Sequence, residues 1–304
     1  MKKSILLKEA ILVFVTMIWS GGFIAQVLGG TYLGTYSLIF CRTLIAELFV
    51  GCVILVMDGI KKHRHEDYQE SDKKGLWKGG LIIGVSTAVA MIFQQIGVMS
   101  EGAGKAGFIT TLYIIIVPVI GLFLGHRVNK WILVSIVLGV AGLYLINVNG
   151  GSFNLNFGTI MLLCSALCYA IQILLIDKFS KGYNVTKLTF IQFISILVIT
   201  LPLMLIFEDL SWANFMKALS SLLYLSIGST GLTSILQMYA QKEVDVTVAS
   251  IIMSLESVFS VIMGVIMLHE SHTLIQYIGC ILLFSAVIFS QLSQRITIKK
   301  VELK

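Results

Sequence analysis

Stretches of about 20 apolar residues recur from one end of this 304-residue chain to the other. A run of that length crosses the roughly 30 Å hydrocarbon core of a bilayer at 1.5 Å per helical residue. We place ten, at about 9–28, 36–57, 78–98, 105–125, 131–148, 157–177, 187–207, 217–238, 247–268 and 273–292. In hydrocarbon no water pairs with the backbone, so each run must satisfy its own N–H and C=O groups, as an α-helix does. Strand-like alternation is absent. The expected fold is all-α, a polytopic membrane protein of ten transmembrane helices. Composition agrees, with 57% hydrophobic and 12% charged residues against about 45–50% and roughly 25% in soluble domains. The first run follows the basic "MKKSILLK" as a secretory leader would. It is nevertheless long enough to span, lacks a small-x-small cleavage site and precedes nine more runs, so it reads as a retained helix.

Positive charge orients the chain. Threading ten helices in alternation assigns 19 of the 22 lysines and arginines to one side, among them Lys2, Lys3, Lys8 and the cluster within 61–78. Lys105 and Lys217 fall on the other side, and Arg42 lies inside the second run. Basic loops stay cytoplasmic. Both termini are therefore expected inside, with the chain in the plasma membrane. A miscounted helix would scramble this asymmetry. The net charge of +6 is thus a topology signal, and no nucleic-acid partner is expected. The stretch "KKHRHEDYQESDKK" (61–74) reads as a solvated cytoplasmic loop.

The chain also repeats itself. "VSTAVAMIFQQ" (85–95) aligns with "GSTGLTSILQM" (228–238) at an offset of 143, placing Ser86 on Ser229, Thr87 on Thr230 and Gln94 on Gln237. The same offset sets Ala106 on Ala249, Leu112 on Leu255 and Gly121 on Gly264, and an offset near 150 sets Arg42 on Gln192. Two five-helix halves result, 1–150 and 151–304. Five is odd, so the second half enters the membrane from the opposite side, and the halves are inverted-topology repeats. Secondary carriers built this way bind substrate near the midplane, between the repeats.

An ionisable side chain in hydrocarbon costs at least about 2.5–3.5 kcal/mol by insertion scales, so each is a functional candidate. Arg42, Glu47 and Glu256 lie well inside runs. Arg42 and Glu47 are five residues apart, about 140° around a helix, and make poor partners for each other. A carboxyl able to take up a proton, such as Glu256, suits a proton-coupled carrier, so a proton or another ion is the candidate coupling ion. Trp19, Gln94, Tyr113, Tyr169, Gln172, Gln192 and Gln237 join these three as candidate substrate or pathway residues, with Gln95 and Thr230 in the same polar set. A cavity lined by amides, aromatics and few charges suits a small solute, partly polar and partly apolar.

Proline breaks helices, yet Pro118 sits within "IIIVPVIGLFLG" (114–125), the most apolar run. It predicts a kink in the fourth helix that opens its inner face, with Thr110, Thr111 and Tyr113 upstream to pair with the freed carbonyl. Gly80 with Gly84 and Gly121 with Gly125 read as close-packing seams. The five cysteines lie inside runs as packing residues. "HESH" (269–272) lacks HExxH spacing and "GAGKAG" lacks the hydroxyl residue after Gly-Lys, so neither a metal site, a phosphate loop nor a cofactor is assigned.

"WSGGFIAQ" (19–26), "IFCRTLIAE" around Arg42, "AGKAGFITTLYIIIVPVIGLFLG" (103–125) and "SLESVFSVIMGVIMLHE" (254–270) resemble the drug/metabolite transporter superfamily in its EamA-type ten-helix branch. The resemblance covers nearly the whole chain. Ser257 stands where the family commonly has proline, and His126 and Arg127 stand where many members have Gly-Glu-Arg, leaving Glu270 as the one carboxylate of that kind. The resemblance implies a basket of two EamA repeats around a central cavity and efflux or exchange of metabolites, amino acids or toxic compounds. The leading expectation is a secondary carrier, a monomer or homodimer in the lipid bilayer, exporting a small molecule. A membrane receptor or scaffold would usually carry large soluble segments. An intramembrane enzyme would need a clustered nucleophile, metal triad or acid pair.

Overall fold

A backbone that crosses hydrocarbon keeps its hydrogen bonds local, and the described spans are helical accordingly. The computed structural model describes residues 2–63, 72–124, 130–147, 155–268 and 273–302. "HESH", Glu270, His126, Arg127, Gly125 and most of the 61–74 loop lie outside the described residues.

The first three spans are α1 (Lys2–Gly30), α2 (Thr35–His63) and α3 (Lys73–Glu101). The fourth is divided into α4 (Ala103–Thr110) and α5 (Tyr113–Phe123), and α6 (Lys130–Asn147) is the fifth. Then come α7 (Phe157–Ser180) and α8 (Val185–Phe207). The eighth span runs as α9 (Trp212–Leu223), a π-helical stretch (Tyr224–Leu232) and α10 (Thr233–Gln241). The ninth is divided into α11 (Val246–Met253) and α12 (Glu256–Leu268), and α13 (Leu274–Glu302) is the tenth. Eight of these spans are long and apolar enough to cross a membrane, and the fifth and tenth supply two shorter apolar helices, Lys130–Leu145 and Leu274–Ser290. The chain is a polytopic all-α membrane protein.

Several helices overrun their apolar runs, α1 from Lys2 and α3 from Lys73. Bilayer thickness limits the apolar portion, whereas the helical ladder continues into water until a cap or turn ends it. Asp and Asn supply the caps: Asp72 accepts from Gly75 N at 2.9 Å, Asn156 from Thr159 N at 2.9 Å, and Asn184 from Thr186 N at 3.0 Å. The start of α2 is capped from afar, where the Glu208 carboxylate accepts from Tyr36 N at 3.0 Å and Ser37 N at 2.7 Å. Only Gly102 separates α3 from α4; its φ of 82° lies in the left-handed region that glycine adopts freely.

Burial is turned inside out relative to a soluble bundle. On α2, Leu48, Leu55 and Val56 face outward while Arg42, Thr43 and Glu47 are buried. Against lipid, apolar exposure costs nothing, and helices associate through close packing and interhelical hydrogen bonds. Gly80 and Gly84 let α3 approach α8, since a Cβ at Gly80 would strike Ile191 and one at Gly84 would strike the Gln192 carbonyl. The helices α6 and α13 pack chiefly on each other, and the remaining eight spans enclose the interior.

Candidate functional site

Those eight spans line a cavity of about 730 Å³, a volume that includes space open to solvent. Nine of the ten candidate residues read from sequence line it: Trp19, Arg42, Gln94, Tyr113, Tyr169, Gln172, Gln192, Gln237 and Glu256. They are drawn from α1, α2, α3, α5, α7, α8, α10 and α12. Convergence from so many elements is what a polar interior in a hydrocarbon-embedded bundle requires, because each amide or charge must find water, a partner or a ligand.

Glu47 stands apart: it is buried, neither carboxylate oxygen has a hydrogen-bond partner, and it is not among the residues that line this cavity. Five residues of helix turn it away from the direction Arg42 takes. Gln95 is likewise a tie between helices, its amide donating to Gln26 O at 3.3 Å.

Hydrogen bonds fix the wall. The Trp19 indole donates to Ser229 O at 3.1 Å and to Thr233 Oγ1 at 3.0 Å, fastening α1 to the eighth span along its π-helical stretch. Tyr169 OH donates to Gln94 Oε1 at 3.1 Å, and Gln192 Nε2 to Thr87 Oγ1 at 3.2 Å. Other polar atoms are buried without any partner: Arg42 Nε, Tyr113 OH, Thr110 Oγ1, Thr230 Oγ1, and the side-chain oxygens of Gln26 and Gln192. Buried polar groups are paired in the great majority of proteins, so an unpaired set converging on one space marks a place for water or ligand. Gln26 and Thr110 were not among the candidates. Gln26 was legible, since an amide inside an apolar run is as anomalous there as Gln94.

Two helix interruptions meet at this site. The fourth span tightens at Thr111 and Leu112, where Leu112 N bonds to Ile109 O and Ile114 N to Thr111 O. The ninth tightens at Ser254 and Leu255, where Leu255 N bonds to Ile252 O and Ser257 N to Ser254 O. Such short three-residue turns within a helix often mark hinges. Thr111 Oγ1 lies 3.0 Å from Ser257 Oγ and 3.0 Å from Gly107 O, so hydroxyls satisfy the disturbed backbone. Pro118, where a kink is expected, lies inside α5. The interruption falls upstream, and α5 continues through Pro118. The ninth span is interrupted at the matching position with no proline in α11 or α12.

Fold and site together define a polytopic α-helical membrane protein whose bundle is hollow and polar inside. The sequence pattern of the EamA-like transporter family matches residues 7–148 and again 156–292, and the chain belongs to that family. A protein of Archaeoglobus fulgidus known as an uncharacterized transporter is 30% identical over 217 residues, covering 71% of this chain and 69% of the relative. A crystal structure 15% identical in sequence superimposes with a TM-score of 0.73 over 97% of this chain and 99% of the other, a likeness of fold.

Proposed function

We propose that this member of the EamA-like transporter family is a secondary carrier that exports a small metabolite or amino acid by alternating access. The observation that carries the proposal is the cavity lined by polar side chains from eight spans, with Arg42, 6% exposed, reaching it from α2 and its Nε unpaired. Desolvating a guanidinium without a partner is costly, and a bound solute is what offsets that cost. The offsets of 143 and 150 support reading the chain as two repeats, 1–150 and 151–304. Their five-helix length makes the second an inverted copy of the first. In this reading the tightened turns at Thr111–Leu112 and Ser254–Leu255 let the fourth and ninth spans bend as the halves rock. Both termini lie in the cytoplasm, and a proton or another ion is the coupling partner.

The test is flux. Purified protein in proteoliposomes, loaded with a mixed panel of amino acids and metabolites, is expected to release at least one of them faster than empty vesicles. Arg42→Ala and Glu256→Gln are expected to abolish that release while the proteins stay folded and monodisperse. Chemical conversion of a panel member without translocation would replace the carrier reading with an enzymatic one.

A further inference from the structure

We propose that Glu47, outside the cavity, is the proton-binding site of the carrier, taking up a proton on the external side and releasing it to the cytoplasm. This rests on the carrier reading above, and it names the coupling ion and the residue that holds it.

Twelve residues precede Glu47 and thirteen follow it in the span Thr35–Ile60, so it sits at mid-membrane. That is the depth at which an ionisable side chain costs most. Glu47 is 8% exposed, and neither carboxylate oxygen has a hydrogen-bond partner. The seam around it is apolar. Ala46 and Val50 share a core cluster with Phe193 and Ile196 of α8, and a Cβ at Gly51, one turn on, would touch Phe190 of the same helix. One polar neighbour accompanies it. Thr43 lies one turn earlier on the same face of α2, fully buried, and its Oγ1 is also unpaired.

No charge nearby offsets an ionised carboxylate. The helix α2 packs on α8 and the π-helical stretch, and less extensively on α1, α3 and α9. The cations on those elements, Lys187, Lys73, Lys74, Lys78, Lys217, Lys2, Lys3 and Lys8, stand within about two turns of a helix end. So do Glu9 and Glu101, and on α2 itself Asp58, Lys61, Lys62 and His63. The phenols and thiols there, Tyr36, Tyr224, Cys41 and Cys52, bring no positive charge. Among the described residues of these elements, Arg42 is the other ionic group well inside a span, but it lines the cavity from a different arc of α2.

A proton resolves this site where other ligands do not. Protonated, the carboxyl is neutral and gains an O–H donor, and the Thr43 hydroxyl is the available acceptor. A metal cation would find three side-chain oxygens here, two from Glu47 and one from Thr43, against the six or more that Ca2+ or Mg2+ takes. Glu256 differs, because it lines the cavity that solute and water enter. One rigid element joins the two functions. The helix α2 carries Arg42 to the cavity and, about 7.5 Å further along its axis, Glu47 to the seam with α8. A tilt of α2 that re-aims one moves the other, and the carboxylate gains or loses H+ on whichever side is open.

The first measurement needs no solute. Infrared spectra of the full chain in lipid vesicles at neutral pH are expected to contain a carboxylic-acid C=O band that Glu47→Gln removes. Thr43→Val should shift that band by removing its acceptor, and Glu47→Asp should retain one. A spectrum that loses no such band in Glu47→Gln overturns the proposal. The second measurement is coupling. Proteoliposomes loaded with the amino-acid and metabolite panel are placed in medium one pH unit more acidic, with the membrane potential clamped. For one proton per solute, the transported solute should reach about a tenfold outside-to-inside ratio. Glu47→Gln should hold the ratio at about one or lower, and Glu47→Asp should restore part of it. A tenfold ratio that survives Glu47→Gln overturns the proposal and leaves the carrier standing, as does wild type that accumulates nothing against the gradient. Accumulation driven instead by a sodium gradient at equal pH, and lost in Glu47→Gln, overturns the choice of a proton. Release of no panel member removes the carrier reading and the coupling role with it, and the infrared band then reports only the protonation of Glu47.

Discussion

Aligned positions in the two halves of the molecule carry different chemistry. Arg42 answers to Gln192, Tyr113 to Glu256 and Trp19 to Tyr169, while Gln94 and Thr87 keep their types at Gln237 and Thr230. All ten line the same cavity. The backbone differs too. The third span is one unbroken helix of 29 residues, whereas the aligned eighth span passes through nine residues of π-helix. Side-chain donors account for the difference. Trp19 reaches the backbone carbonyl of Ser229, and Tyr224 OH donates back to Ile18 O at 2.7 Å, so the widened turns are held from α1. Tyr169, at the position of Trp19, spends its donor on the Gln94 side chain and leaves the α3 backbone undisturbed. The third and eighth spans, aligned at this offset, are close in length and differ in backbone where one donor switches from backbone to side chain.

The sharpest way to break this comparison is to move the charge. In the double variant Arg42→Gln with Gln192→Arg, the cation sits at the aligned position of the other half. Flux is expected to stay roughly 100-fold below wild type, the scale of a lost charged contact. Recovery to near wild type would make the two positions interchangeable. A smaller effect separates the aromatic anchors. Trp19→Phe removes donation to both Ser229 O and Thr233 Oγ1 and is expected to cost about 1 kcal/mol; Tyr169→Phe removes one interhelical bond at about 0.6 kcal/mol. Thermal unfolding in detergent measures both. Hydrogen exchange should quicken across residues 224–232 in Trp19→Phe alone, and equal quickening in the two variants would sink the account of the π-helix.

The smallest effect lies at the end of the bundle where α1 meets the turn after α10. Glu243 accepts from Ser4 Oγ at 2.8 Å and pairs with Lys8 at 3.4 Å. The Ser4 hydrogen bond first, and Lys8 after it, hold the Glu243 carboxyl below the usual carboxylate range. Because the folded value is the lower one, the stabilisation is complete above the ordinary range and disappears as the pH falls through the lowered value. Lys8 is buried, but Glu243 is 44% exposed, and solvent screening at that end keeps the effect small. Ser100, which aligns with Glu243, instead donates to the Glu101 carboxylate at 3.4 Å, beside the Lys105–Glu101 ion pair. Ser4→Ala should therefore flatten the acid limb of a stability-versus-pH curve slightly, and Ser100→Ala should flatten it less, because that hydrogen bond is long and Lys105 stays in place. A larger response from Ser100→Ala than from Ser4→Ala would overturn that order.

Number and length of spans were legible because bilayer thickness acts on each apolar run independently of its neighbours, and a local rule can be read from a local pattern. Nine cavity residues were legible for a related reason. A polar group such as Gln172 or Glu256 inside an apolar run is costly anywhere except against another polar space, whatever the fold. Glu47 obeys the same rule and is not among the lining residues, since which arc of α2 faces the hollow depends on how α8 and the π-helical stretch pack against it. Pro118 was the visible helix breaker, yet the interruptions fall at Thr111–Leu112 and Ser254–Leu255, where the fourth and ninth spans cross and hydroxyls from one reach the other. Chain-local energetics, fixed by hydrocarbon and by single-residue desolvation, were written in the sequence. Facing and bending were decided only when ten helices packed, because each depends on atoms remote in the chain.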